Sequence, residues 1–377
     1  MRLYINGRFV TRPMTGVDRV AYELTAALQQ IADGLPAGSL SLQPVLPRCL
    51  PEQIAFLPES TQGAVQANSK LSGLLWEQFE LPFQSSEGVS VNLCNVGPYF
   101  GKRQILMVHD AQVYLSPASY SFGFRAWYRF IQPLLARRAS LLLTVSEFSK
   151  IQLEDVGVFP KGKAIVIHNG VDHLDRLQAD DSVLKRHGLT PANYFLAMGS
   201  TSRHKNLQCV LDAMSACSAG TSPLVVVGGD VSTLKAKFGS SPIDRIIFLG
   251  RVSDAELKGL YSNASAFLFP SMTEGFGLPP LEAMHCGCPV IASTGGAIPE
   301  VCGDAAFYAS PTEPEEWCKA IEKLSKDSDV AGNHAKLGRE HARHFTWRRS
   351  AYKLLHAISD VYADNEIHEQ LKSLKVL

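Results

Sequence analysis

Short apolar runs that close on polar or small residues recur along this chain of 377 residues, and they restrict its fold more than any other feature. Gln104-Ile-Leu-Met-Val-His-Asp110, Ser140-Leu-Leu-Leu-Thr-Val-Ser146 and Ala164-Ile-Val-Ile-His168 read as strands buried on both faces, as in a parallel sheet covered by helices. Leu3-Tyr-Ile5 opens the series. A loop through Gly16 follows, then a helix over about residues 17–31 whose apolar stripe is Val17, Val20, Ala21, Leu24, Leu28 and Ile31. The second half repeats the alternation, with strands expected at 194–198, 224–227, 246–249 and 266–269 and helical segments between them. This βαβα order predicts two doubly wound α/β domains. Length and content agree, because 377 residues exceed one ordinary domain and a hydrophobic share of 46% furnishes sizeable cores.

Within that framework, Glu274-Gly-Phe-Gly-Leu-Pro-Pro-Leu-Glu282 places two carboxylates around a Gly-rich turn that opens directly into a helix. Gly275 and Gly277 permit backbone conformations and close approach that a Cβ hinders. Pro279 and Pro280 suit the first helical turn, and Gly287 suits its end. A helix N-terminus attracts phosphates, whereas carboxylates accept hydrogen bonds from ligand hydroxyls. A diphosphate joined to sugars meets both demands. The same residues also suit a plain βα loop in which Glu282 only caps its helix and interacts with the dipole. Local physics does not choose between the two.

The wider run Phe269-Pro-Ser-Met-Thr-Glu-Gly-Phe-Gly-Leu-Pro-Pro-Leu-Glu-Ala-Met-His-Cys-Gly-Cys-Pro-Val-Ile-Ala-Ser293 resembles the retaining glycosyltransferases of family 4, its bacterial mannosyltransferases among them. The resemblance continues through Gly295-Gly-Ala-Ile-Pro-Glu300, Gly303-Asp-Ala-Ala306, Gly199, Lys205 and Asn206, and covers most of the chain. It implies a GT-B fold: α/β, with two doubly wound Rossmann-like domains facing across an interdomain cleft. Residues 1–170 would form the acceptor-side domain and 171–346 the nucleotide-sugar domain, with Asn169-Gly-Val-Asp172 near the junction. A helical segment over 347–377 would return to the first domain.

The resemblance also implies site roles. Glu274 belongs near the transferred sugar and Glu282 on the nucleotide ribose, with Gly275, Phe276, Gly277 and Leu278 forming the donor turn. Lys205 and Arg203 supply positive charge for the leaving diphosphate, which stabilises charge that grows as the glycosidic bond breaks. The family commonly places its Arg differently in this loop. His109 with Asp110 resembles the active-site His-Asp segment and is expected to position the sugar or set reaction-centre polarity, with Asp110 orienting it or completing the loop. Gly16, in Thr15-Gly-Val-Asp-Arg19, resembles the first-domain loop that approaches donor phosphates or acceptor, and equally suits an ordinary turn. The expected catalytic residues are therefore His109, Lys205 and Glu274.

The implied reaction moves a hexose, with retention, from a nucleotide sugar to a hydroxyl on a glycan or polyprenyl-linked glycan in bacterial surface-polysaccharide synthesis. GDP-mannose is the first candidate donor, with UDP-hexoses and dTDP-rhamnose as alternatives. A same-face dissociative route is expected, because no placed carboxylate is an assured nucleophile. A sugar-nucleotide epimerase or hydrolase, or a nonenzymatic donor-binding assembly protein, remains open because fold does not fix reaction.

No cofactor and no catalytic metal are expected. Asp327-Ser-Asp329 lies in a charged segment far from the motif, and the eight scattered cysteines form no C-x-x-C pair and read as reduced thiols. Balanced charge, 36 basic against 36 acidic side chains, argues against nucleic acid as the main partner. Neither a bilayer-spanning run nor a signal-peptide pattern is present, so a cytoplasmic location is expected. The segment Phe124-Arg-Ala-Trp-Tyr-Arg-Phe-Ile-Gln-Pro-Leu-Leu-Ala-Arg-Arg138 mixes aromatic and basic residues and suits either peripheral membrane contact or ordinary packing. Pro133 is expected to interrupt any long helix there.

Overall fold

A computed structural model describes residues 1–54, 57, 61, 69–217, 222–239 and 246–374. The chain divides into two compact units: Met1–Gly170 with Thr346–Leu377, and Val171–Phe345.

The first unit carries β1 (Arg2–Asn6), β2 (Ser41–Val45), β3 (Val89–Asn92), β4 (Gln104–Met107), β5 (Leu141–Thr144) and β6 (Ala164–Val166) in the order β2-β1-β3-β4-β5-β6. Every pairing is parallel. Three of these strands were expected with longer bounds, and β2 and β3 were not expected. Helix α1 (Gly16–Asp33) starts from Thr15, whose backbone N and hydroxyl both donate to the Asp18 carboxylate, at 3.0 and 2.5 Å. Val20, Ala21, Leu24, Leu28 and Ile31 are buried as the stripe predicts, and Val17 is half-buried.

Helices α2 (Gly73–Phe79) and α3 (Leu81–Gln84) precede β3, and α4 (Phe122–Arg138) precedes β5. The last of these corrects the sequence expectation, because α4 runs unbroken through Pro133. Proline forfeits one backbone bond, but Ile131, Leu135 and Ala136 around it are buried in a common core with Leu106, Val108 and Leu142. That packing outweighs a single lost bond.

In the second unit, β7 (Phe195–Met198), β8 (Leu224–Val227), β9 (Ile246–Gly250), β10 (Ala266–Phe269), β11 (Val290–Ser293) and β12 (Phe307–Ala309) form a parallel sheet in the order β12-β11-β10-β7-β8-β9. Connecting helices include α5 (Leu207–Ala216), α6 (Leu278–His285), α7 (Ile298–Cys302), α8 (Pro314–Lys326) and α9 (Ser328–Ala342). Trp317 of α8 is fully buried against the sheet side of α5 residues such as Val210 and Met214, and its indole N donates to Ser310 O at 2.8 Å. The Asp327 carboxylate accepts from the backbone N of Asp329 and Val330 at 3.1 and 3.0 Å, so Asp327-Ser-Asp329 is the cap of α9. Finally α10 (Trp347–Tyr362) packs on α1 in the first unit.

Strand order reverses direction between β7 and β10 in the second unit, and between β1 and β3 in the first. At such a reversal the loops leaving neighbouring strands diverge to opposite faces, which opens a crevice past the carboxyl ends where ligands collect.

Candidate active site

The second-unit reversal brings together what the sequence separates. Lys205 ends the 3-10 turn Arg203–Lys205 that follows β7, and Glu274 lies in the loop that follows β10. The Lys205 ammonium meets Glu274 Oε1 at 2.7 Å, with the two side chains 33% and 15% exposed. The two loops are also joined through their backbones. Met272 N donates to His204 O at 2.7 Å, and Asn206, in a left-handed conformation at φ 54°, donates from its side-chain amide to Pro270 O at 3.1 Å and Pro311 O at 2.7 Å. Burial, reinforced by the Lys205 charge, holds His204 below its ordinary pKa, so it adds no second cation at neutral pH.

The loop after β11 closes over the same backbone. Ala297 N donates to Glu274 O at 3.0 Å, and Gly296 adopts φ +66° so close to Glu274 that a Cβ there would lie 2.4 Å from its N and 2.6 Å from its O. Gly296→Ala is therefore expected to cost on the order of 1–3 kcal/mol, from backbone strain and from displacement of the Glu274 segment. Urea denaturation measures the cost, and unchanged stability would contradict the close approach.

The Gly-rich turn forms as the sequence suggests, though its glycines differ. Gly277, at φ +103°, caps α6, whose first turn carries Pro279 and Pro280, while Gly275 is not among the residues with positive φ. Leu278 begins the helix and is half-buried. The Phe276 ring is buried, 6.1 Å from that of Phe345, so any donor contact it makes comes from its backbone. Farther along α6, Glu282 Oε1 lies 3.5 Å from His173 Nε2. Beside it the buried Tyr261 phenol is held well above its usual range, by burial first and then by the Glu282 charge. Arg203 is exposed on its turn and lies outside the Lys205–Glu274 pair.

In the first unit, His109 follows β4 and is buried. Its backbone N donates to Asn95 Oδ1 at 2.8 Å, and its Nε2 lies 2.8 Å from Leu93 O. A carbonyl only accepts, so Nε2 carries the proton and Nδ1 of the neutral ring is an acceptor. Burial lowers the His109 pKa to about 4, against a smaller opposing effect of the Leu93 carbonyl. The Asp110 carboxylate accepts from Gln112 N at 2.9 Å, completing its loop.

A pH effect follows from His109. The unfolded chain takes up a proton below about 6.5 while the folded ring resists until about 4, so this group weakens the fold as pH falls through that window and contributes nothing above it. The full loss amounts to about 3 kcal/mol, at about 1.4 kcal/mol per unit. Imidazole NMR is expected to show His109 neutral from pH 8 down to 5, and a midpoint near 6.5 would contradict its burial.

Gly16 opens α1 with free space where a Cβ would sit. Near it stand two ion pairs that sequence reading does not provide: Arg12 Nε to Asp18 at 2.5 Å and Arg8 to Glu77 at 2.7 Å. Asn6 binds Glu77 at 2.9 Å and Asn92 at 3.0 Å behind them. His173 was also missed, although its place directly after Asn169-Gly-Val-Asp172 was a usable signal.

Comparison with known proteins adds to this geometry. A family model described as glycosyl transferases group 1 matches residues 182–363. The O-antigen chain mannosyltransferase RfbU of Salmonella typhimurium is 31% identical over 61% of this chain, which spans 63% of that relative, less than two thirds of its length. The O-antigen chain mannosyltransferase B of Escherichia coli is 30% identical over 68% of this chain and 72% of its own length. Among solved structures, Anabaena Alr3699/HepE in complex with UDP and glucose matches with a TM-score of 0.74 at 18% identity, over 95% of this chain and 99% of that one. The architecture is GT-B.

Proposed function

This chain belongs to the glycosyl transferases group 1 family, and from that membership we propose that it is a retaining hexosyltransferase that takes mannose from GDP-mannose. The acceptor is a hydroxyl on a glycan or lipid-linked glycan of a bacterial surface polysaccharide. Two relatives named O-antigen chain mannosyltransferases support the choice of sugar and product. The observation that carries the reading is the Lys205–Glu274 pair at the strand-order reversal, beside a helix N-terminus.

In this reading the α6 N-terminus and Lys205 receive the diphosphate, Glu274 accepts hydroxyl hydrogen bonds from the sugar, and Glu282 does so from the ribose. Arg203 is assigned to the phosphates, and in the first unit Gly16 and the Nδ1 acceptor of His109 are assigned to ligand contacts. Positive charge on the leaving diphosphate helps most when the glycosidic bond is breaking, and this lowers the barrier more than it strengthens ground-state binding. The reading needs neither metal nor cofactor. Glu282→Ala is expected to raise KM for the donor roughly tenfold to hundredfold with little change in kcat, as loss of hydrogen bonds to a charged group predicts. A fall in kcat at unchanged KM would move Glu282 to the reacting centre.

The proposal is tested by mass spectrometry of the purified protein with GDP-mannose, UDP-hexoses and dTDP-rhamnose, each with a pooled glycan and glycolipid extract. Acceptor-dependent addition of a hexose from GDP-mannose, with the α configuration kept by NMR, is expected. Donor breakdown or epimerisation without an acceptor would support the hydrolase or epimerase alternative, and binding without turnover a nonenzymatic role.

We also propose peripheral contact with the inner face of the cell membrane through α4. No helix among the described residues is long and apolar enough to cross a membrane. Phe122, Phe124 and Phe130 are exposed on α4, where Arg125 and Arg129 add positive charge. Binding to anionic vesicles at low salt, lost on Phe122→Ser with Phe130→Ser, is the expected result.

A further inference from the structure

A second recess lies in the first unit at the opposite end of its strands from His109. Residues 85–88 lead into β3 and residues 100–103 lead into β4, so the recess they line with α2 and α3 faces the amino ends of the sheet. His109 and the loop before α1 follow the carboxyl ends of β4 and β1. The cavity holds about 550 Å³, inside the roughly 300–1,000 Å³ range of small-molecule sites.

Its walls are apolar and solvent-facing at once. Phe79, Phe83 and Phe100 line it, 56%, 79% and 65% exposed, and Pro82 fills the space between the first two in sequence. Large aromatics left in water around one concavity are costly to maintain unless something covers them. The charged lining is unbalanced. Glu87 is neutralised by Arg2 at 2.7 Å, whereas Lys102 and Arg103 form no ion pair among the described residues, and Arg103 only lies over the Tyr362 ring at 6.0 Å. Behind them, Gln104 is buried with neither amide atom hydrogen-bonded among the described residues, and its Oε1 lies 3.3 Å from where a Cβ on Gly101, in the cavity wall, would stand. An apolar recess with two uncompensated cations beside it matches one kind of small ligand.

We propose that this cavity binds a lipid phosphate, with the apolar chain among Phe79, Phe83 and Phe100 and the phosphate held by Lys102 and Arg103. A neutral lipid would leave the cations without a partner, and free inorganic phosphate would leave the aromatic walls uncovered. The site stands independently of the transfer reaction, since its residues lie at the other end of the strands.

Calorimetric titration with dodecyl phosphate below its micelle concentration, without any nucleotide sugar, tests the site. One molecule is expected per chain. Lys102→Glu with Arg103→Glu, and separately Phe83→Ser with Phe100→Ser, are each expected to weaken binding at least tenfold. Inorganic phosphate alone is expected to bind far more weakly. These side chains are exposed, so the variants should keep the fold, which circular dichroism checks. Absence of saturable binding, affinity unchanged by both pairs of substitutions, or equal binding of the neutral dodecyl maltoside would overturn the proposal. Displacement by phosphatidylglycerol vesicles would assign the natural ligand to a bilayer lipid, and displacement by monomeric alkyl phosphates alone to a soluble carrier. Either result supports the site.

Discussion

Replacing Glu274 with Ala is expected to lower kcat for transfer roughly a thousandfold, the cost of losing a preorganised polar contact at the reacting centre, while GDP binds no more weakly than before. The two effects separate because the carboxylate acts in opposite directions on them. In the ligand-free protein Glu274 holds the Lys205 ammonium at 2.7 Å, and its own negative charge repels an incoming diphosphate. Removing it frees Lys205 for the phosphates, so affinity for the nucleotide stays level or rises as turnover collapses. Steady-state kinetics and GDP calorimetry on the same preparation measure both. Weakened GDP binding with near-normal kcat would mean that Glu274 serves the nucleotide and not the sugar.

The second large effect is expected at Lys205. Lys205→Ala should lower kcat/KM by roughly 10²–10³-fold, as loss of a charge aimed at a developing anion does, and should weaken GDP binding as well. Lys205→Arg is not expected to restore activity. The ammonium is a compact charge set on a turn tied to the Glu274 loop through His204 and Asn206, and a planar guanidinium presents its donors differently. The double variant with Glu274→Ala should lose much less than the sum of the single losses, because the partners act as one unit. Full additivity in the cycle would argue against that coupling.

Much of this fold was readable from the chain because parallel strands buried on both faces must be apolar throughout. Leu224–Val227 and Ala266–Phe269 have the bounds their composition suggests. Four strands are not announced by the sequence reading: β11 (Val290–Ser293) obeys the rule and lies inside the motif run, whereas the other three break it for physical reasons. Pro44 lies within β2, which tolerates it because β2 is an edge strand. β3 alternates Val with Ser90 and Asn92 and so resembles a half-exposed strand, yet all four residues are buried, and the Asn92 amide donates to Ile105 O at 3.2 Å. β12 is a three-residue edge. The expected break at Pro133 failed because core packing on both sides decides the helix and local propensity does not.

The site was legible by residue type but not by pairing. Gly277, Glu274, Glu282 and Lys205 all carried signals in spacing and motif. That Lys205 and Glu274, 69 residues apart, form an ion pair depends on β7 and β10 lying side by side at the reversal, which strand order alone determines. His173 beside Glu282 and Glu77 beside Arg8 were hidden in the same way, since each partner lies on a different element.

In the proposed reading the nucleotide sugar occupies the second-unit crevice between the loops after β7, β10 and β11. Hydrogen exchange of the wild-type protein with and without GDP-mannose tests it most directly. Slowed exchange confined mainly to peptides covering 199–206, 273–282 and 295–297 is the predicted result. Unchanged exchange in those peptides at saturating GDP-mannose, or protection found only in the first unit, would contradict it.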